Sequence, residues 1–158
     1  MRVLAALPVL LLLLTPQARV GRETVAAKRA WPSFFAEFHR AVKRRDRVSL
    51  KKMMPPDFDF SGGGGDDDGD GDTRDEAFRF WGETETRAWE AFDRILSRGA
   101  VPMSSWWDGG RKREQPGRVA PPAANKRRNI TSGHVGWYAI FEFRGGRWYC
   151  VIFKPCCD

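Results

Sequence analysis

GWYAIFEFRGGRWYCVIF, residues 136–153, is the stretch on which the fold turns. Two aromatic and β-branched runs flank Gly145-Gly146, which reads as a β-hairpin closed by a two-residue turn, because both turn positions need a positive φ. Two-residue closure sets Phe143 opposite Trp148, Phe141 opposite Cys150 and Ala139 opposite Ile152, all on one face. The other face carries Tyr138, Ile140, Tyr149, Val151 and Phe153. Strands that are apolar on both sides are covered on both sides, or line a cavity on one. The hairpin is therefore expected at the middle of a sheet, with helices packed on one face.

Upstream, the spacing supplies those helices. Phe34, Phe35, Phe38, Ala41 and Val42 fall on one stripe of a helix spanning Trp31 to Arg45, with Pro32 in its first turn. Asp46 is placed to cap a second, short helix ending near Met54, before Pro55-Pro56. Asp57 to Phe60 alternates like a short strand. Thr73 and Glu76 form an apparent capping box for a helix through Trp81, which Gly82 is expected to break. Ala88, Trp89, Phe92, Ile95 and Leu96 have core spacing in a further helix that Gly99 closes. Ala100 to Met103 reads as a short edge strand, since Pro102 cannot donate to a ladder. The predicted fold class is α+β, with N-terminal helices packed on a C-terminal antiparallel sheet that ends in a long β-hairpin.

The chain opens with MRVLAALPVLLLLLTPQA, one early charge followed by an apolar run from Val3 to Leu14. That run is shorter than the roughly 20 residues of a membrane span and matches the apolar region of a secretory signal peptide. Residues 1–18 are read as a leader cleaved after Ala18, residues 19–30 as a linker, and residues 31–158 as one domain. The reading implies export to a periplasmic or extracellular space, with the membrane met only transiently through the leader. The whole chain carries a formal net charge of +7. Basic residues crowd Arg19 to Lys52 and the loop 104–132, and acids crowd the segment between them. Such a balance can address nucleic acid. No DNA- or RNA-binding signature accompanies it, so the basic residues are read as surface solvation and nucleic acid is not expected as a partner.

The acidic loop, residues 61–76, reads SGGGGDDDGDGDTRDE. Asp66, Asp68, Asp70 and Asp72 fall on alternate positions among glycines, a spacing that can bring oxygen ligands around calcium. The twelfth position counted from Asp66 is Ala77, where an EF-hand needs a bidentate glutamate, so the loop is not a regular EF-hand. Cys150, Cys156 and Cys157 are an odd set for an exported chain and leave a partial bridge or free thiols open. The two histidines, His39 and His134, belong to no recognisable catalytic motif.

Helices first, a capped helix pair and a closing hairpin of aromatic strands together resemble the cone-shaped α+β fold of the nuclear-transport-factor-2-like superfamily, also called SnoaL-like or cystatin-like. The likeness rests on FFAEFHRAVKRRDRVSLKKMM, residues 34–54, and on the hairpin itself. It implies a pocket lined by the sheet and roofed by helices. Some members are isomerases, dehydratases or cyclases with an Asp–His or Tyr–Asp set in that pocket, and many only bind. No such set is assignable here. The chain is therefore read as a non-enzymatic exported domain that binds a small molecule or a partner protein. Trp106, Trp107, Tyr138, Ile140 and Val151 are its candidate ligand-binding residues. A calcium-binding structural domain and a pocket enzyme of the SnoaL-like type are the alternatives. No catalytic residue is assigned, and calcium is the only cofactor considered.

Overall fold

A computed structural model describes residues 23–60, 72–83, 87–103, 106–108, 111–113, 117–120 and 136–155. Among these residues, four helices, α1 (Val25–Arg44), α2 (Arg47–Met53), α3 (Thr73–Glu83) and α4 (Ala88–Ser97), accompany seven strands. The strands are β1 (Asp59–Phe60), β2 (Val101–Met103), β3 (Trp106–Asp108), β4 (Arg111–Arg113), β5 (Gly117–Ala120), β6 (Trp137–Arg144) and β7 (Arg147–Pro155). Five of them form one sheet in the order β1-β7-β6-β5-β2. All its pairings are antiparallel except β1 with β7. The hairpin strands β6 and β7 lie inside the sheet, and the α+β class expected from the sequence is the observed one. The strands β3 and β4 form a separate two-stranded ribbon within the stretch read as loop.

The turn of the hairpin is as the sequence requires, with Gly145 at φ 58° and Gly146 at φ 82°. Phe143 pairs with Trp148 and Phe141 with Cys150, as expected. Beyond them the register slips. Ile140 pairs with Ile152 and Ala139 with Phe153, through an irregularity between Ile140 and Phe141. One extra residue on β7 absorbs the slip, and Val151 and Ile152 end up on the same face. Phe153 is thereby delivered to the helix side, where the sequence places Ile152. A bulge of this kind is invisible to alternation counting, because it depends on which aromatic ring fits under the helices.

Three local expectations are also corrected. First, α1 begins at Val25, inside the segment read as a linker. Thr24 caps it, accepting from the Ala27 backbone N–H at 3.1 Å. Ala27 is fully buried, and its carbonyl accepts from Trp148 Nε1 at 2.8 Å. A small residue permits that close approach, and the surrounding polar residues hide it from a periodicity count. The same end is held by Glu23, whose carboxylate accepts from Nε and Nη2 of Arg118 on β5. Second, Thr73 does not close a capping box. Its hydroxyl donates to the carbonyls of Pro56, at 2.7 Å, and Phe58, at 2.8 Å. Asp72 instead accepts the Arg74 backbone N–H at 3.1 Å. Third, α3 runs through Gly82 to Glu83 without a break.

The helices bury their apolar stripes on one sheet face. Phe92 of α4 stacks on Phe153 of β7 with centroids 3.8 Å apart and planes 4° apart. Phe38 of α1 meets Phe141 of β6 edge-on at 5.5 Å, and Trp81 of α3 meets Phe153 edge-on at 5.2 Å. Edge-to-face and offset stacks of this kind add to the burial of the rings. The α1–α2 corner turns on Arg45, at φ 52°, while the Asp46 N–H reaches back to the Ala41 carbonyl at 2.9 Å. Asp46 then accepts from the Ser49 N–H at 3.0 Å to start α2, as its sequence position suggests. The Ser49 hydroxyl, donating to Asp46 Oδ2 at 2.6 Å, and then the Ser49 N–H hold its carboxyl below the ordinary value.

Candidate anion-binding cleft

The side of the sheet that the helices cover is filled with side chains. Trp81, Phe38, Phe78, Phe92, Phe141 and Phe153 are all at most 1% exposed. These rings occupy the side of the sheet where the resemblance implied a pocket. Trp81 Nε1 is the one buried side-chain nitrogen or oxygen without a hydrogen-bond partner among the described residues.

Tyr138, Ile140 and Val151 do come together, with Val119 and Ile152, and are buried to 5%, 1% and 9% exposure. They lie on the sheet face opposite the helices, so they do not line a helix–sheet pocket. The physical reason is strand alternation: Ala139 and Phe141 face the helices, and their neighbours must face away. Trp106 and Trp107 sit on β3, in register with Arg113 and Lys112 of β4. Their backbone is ribbon rather than the loop expected from the surrounding glycine and charge.

Of the four aspartates proposed for calcium, Asp66, Asp68 and Asp70 lie outside the described residues. Asp72 is committed elsewhere. Its Oδ1 accepts from Arg74 Nε and its Oδ2 from Arg74 Nη2, both at 2.6 Å. The Arg74 guanidinium holds the Asp72 carboxyl down at about 2. His39 Nε2 stands 2.6 Å from Asp93 Oδ1, joining α1 to α4, with Lys43 Nζ at 3.9 Å from the same oxygen. Burial pushes the Cys150 thiol well above its ordinary value, which leaves it a packing residue rather than a nucleophile. His134, Cys156 and Cys157 lie outside the described residues.

A different site emerges where the end of α2, the start of α3 and the tip of the hairpin converge. A cleft of about 400 Å³ opens there, within the size range of small-molecule sites. Lys51, Lys52, Arg74, Arg144 and Arg147 line it, and none of its lining residues is acidic. Met54, Pro55, Pro56 and Tyr149 supply the apolar part of the wall.

Each cation is positioned by its element. Lys51 and Lys52 close α2, where positive charge meets the negative end of the helix dipole. Arg74, in the first turn of α3, donates from Nη1 to the carbonyls of Lys51, at 2.7 Å, and Met54, at 3.0 Å. It therefore ties α3 to the end of α2. Arg144 and Arg147 are a directly opposed pair flanking the glycine turn. Both lie over the Tyr149 ring, Arg144 at 5.1 Å and Arg147 at 4.6 Å from its centroid. Arg147 Nε also donates to the Tyr149 hydroxyl.

The sequence reading took the chain's basic balance in general for surface solvation and singled out none of these five. A signal was present in RGGR, because a glycine turn with arginine on both sides forces the two guanidinium groups to the same side of the ribbon. The contributions of Lys51, Lys52 and Arg74 had no such signal, since only tertiary packing brings α2 and α3 to the hairpin tip.

No family model matches the chain, and no curated protein matches it. Among solved structures, a designed nuclear-transport-factor-2-like protein aligns with 79% of this chain and 95% of its own length. The identity is 18% and the TM-score 0.35, a likeness that carries no argument by itself. The helices on one face of a five-stranded, mostly antiparallel sheet are consistent with that fold on their own terms.

Proposed function

We propose that the chain is an exported, non-enzymatic binding domain that holds an anionic ligand in the cleft at the hairpin tip. The observation that carries this reading is a contrast in filling. The helix–sheet interior is packed with aromatic rings, while the open cleft is lined by five cations and no carboxylate. Like charges gathered around a concavity focus a positive potential, which raises the local concentration of anions. Export is supported by the leader-like residues 1–18, and cleavage after Ala18 would keep the Glu23 and Thr24 contacts that anchor α1. The calcium reading draws no support from Asp72, whose two oxygens are both taken by Arg74.

The test uses the chain expressed from its first methionine and recovered after export. Its N-terminal residue is expected to be Arg19. Its melting temperature is then followed with millimolar phosphate, sulfate, citrate or acetate, and with neutral sugars and apolar alcohols at matched ionic strength. The expected result is stabilisation by at least one anion, lost in Arg144→Ala/Arg147→Ala and retained in Arg40→Ala/Arg44→Ala. Stabilisation by apolar ligands alone, or an equal anion response in both double variants, would overturn the reading.

A further inference from the structure

We propose that the group recognised in this cleft is a divalent tetrahedral oxyanion, a phosphate or sulfate, gripped by Arg144 and Arg147. The proposal rests on the anion-binding reading above and makes it specific. Three observations carry it.

The first is the state of the charges. Lys51 Nζ is already 2.5 Å from Asp75 Oδ2 and 3.7 Å from Asp72 Oδ2, and Arg74 is paired with Asp72. Arg144 comes only within 3.8 Å of Asp57 Oδ1 and 3.9 Å of Glu142 Oε2. Lys52 and Arg147 meet no carboxylate within ion-pair distance among the described residues. Among the described residues, Lys52 and Arg147 thus lack a close counterion, and a dianion balances two such charges better than a single carboxylate does.

The second is geometry. A guanidinium offers a planar fork of N–H donors that matches two oxygens of a phosphate, whereas an ammonium acts as a point charge. Arg144 and Arg147 face each other across the hairpin, and the Tyr149 ring beneath them limits their freedom. Two forks held on one ring suit an anion with more than two oxygens.

The third is room. The cleft is larger than a bare ion fills, and Met54, Pro55 and Pro56 give it an apolar side. An ester whose organic part lies on that side would use both halves of the site. Free ion and ester share the recognised group, and the experiment separates them.

Titration calorimetry on the chain lacking residues 1–18 would use inorganic phosphate, sulfate, phenyl phosphate and benzoate as probes, in low salt. Phosphate and phenyl phosphate are expected to bind. Either Arg144→Ala or Arg147→Ala is expected to weaken both by about tenfold or more, the effect of losing a charge-assisted pair. Arg147→Lys should fail to restore affinity, because the fork is gone although the charge remains. The variants should melt within about 4 °C of the parent, since exposed surface substitutions change stability little. Phenyl phosphate binding more tightly than phosphate assigns the site to esters, and equal affinity assigns it to the free ion. Benzoate binding as tightly as phenyl phosphate would overturn the dianion proposal and leave the anion cleft standing. Failure of every probe to bind would overturn both, and phosphate binding indifferent to Arg144 and Arg147 would place the site elsewhere and overturn the proposal.

Discussion

On the helix side of the sheet, Phe92 and Phe153 lie 3.8 Å apart, and Trp81, Phe38 and Phe141 close the space around them. At the hairpin tip, the same two strands end in Arg144 and Arg147, which lean on Tyr149 beside an open cleft. The two regions share β6 and β7 and differ in what their side chains can exchange with water. The ring cluster has given up its water. At the cleft, Lys52 and Arg147 meet no carboxylate within ion-pair distance among the described residues, and under the proposal their partner comes from solution. Under the proposal, stability and binding fall to opposite ends of one hairpin.

The largest test of that division is Phe92→Ala. It removes a ring from a closed interior and is expected to cost about 4 kcal/mol, read from urea unfolding. A loss below about 1 kcal/mol would mean that the interior can collapse or already has slack, and the contrast would fail.

Glu23→Ala probes the border of the same interior, where the Glu23 side chain is 4% exposed and paired with an Arg118 guanidinium that also lies 4.6 Å over Trp31. Breaking one side of a buried pair strands the other, so a loss of about 3 kcal/mol is expected in the same unfolding assay. A negligible loss would show the start of α1 to be dispensable, and residues 19–30 would revert to a linker.

Asp72→Asn tests the cleft end and has the smallest effect. The carboxyl is depressed in the folded chain, from 3.8 to about 2. A depressed carboxyl stabilises the fold above its unfolded value, and that contribution is lost as pH falls from about 4 towards 2. With the side chain 31% exposed, screening reduces the contribution to about 1 kcal/mol at pH 7. Parent and variant unfolding curves are expected to differ by that amount at pH 7 and to converge near pH 2. The substitution also removes the carboxylate paired with Arg74, while Lys51 stays with Asp75, so affinity for phosphate should rise while stability falls. A parallel fall in both would mean that Asp72 holds the cleft in shape, and the division of labour would need redrawing.

The hairpin was legible because its signals are local. Glycines at both turn positions and apolar residues on both sides of each strand leave few other structures. The apolar stripes of α1 and α4 were legible for the same reason. The slip at Val151 was not, because alternation cannot report which of Ile152 and Phe153 packs under Phe92 and Trp81. The first turns of α1 were missed because Ala27 counts for little by composition and matters only through the Trp148 indole lying against it. The aromatic and aliphatic residues named for binding, Tyr138, Ile140 and Val151, were correctly grouped on one face. Which face the helices would cover was a tertiary matter, decided by the rings of α1, α3 and α4.

The sequence by itself determined the class of the fold, since hydrophobic period and turn chemistry act between near neighbours along the chain. It also determined that positive charge would dominate much of the surface. Only the tertiary structure decided where that charge becomes a site. Lys51, Arg74 and Arg144 are far apart in the chain, and they meet because the burial of the aromatic rings fixes α2 and α3 against the hairpin tip. Electrostatic focusing depends on distance in space, which no local pattern of residues records.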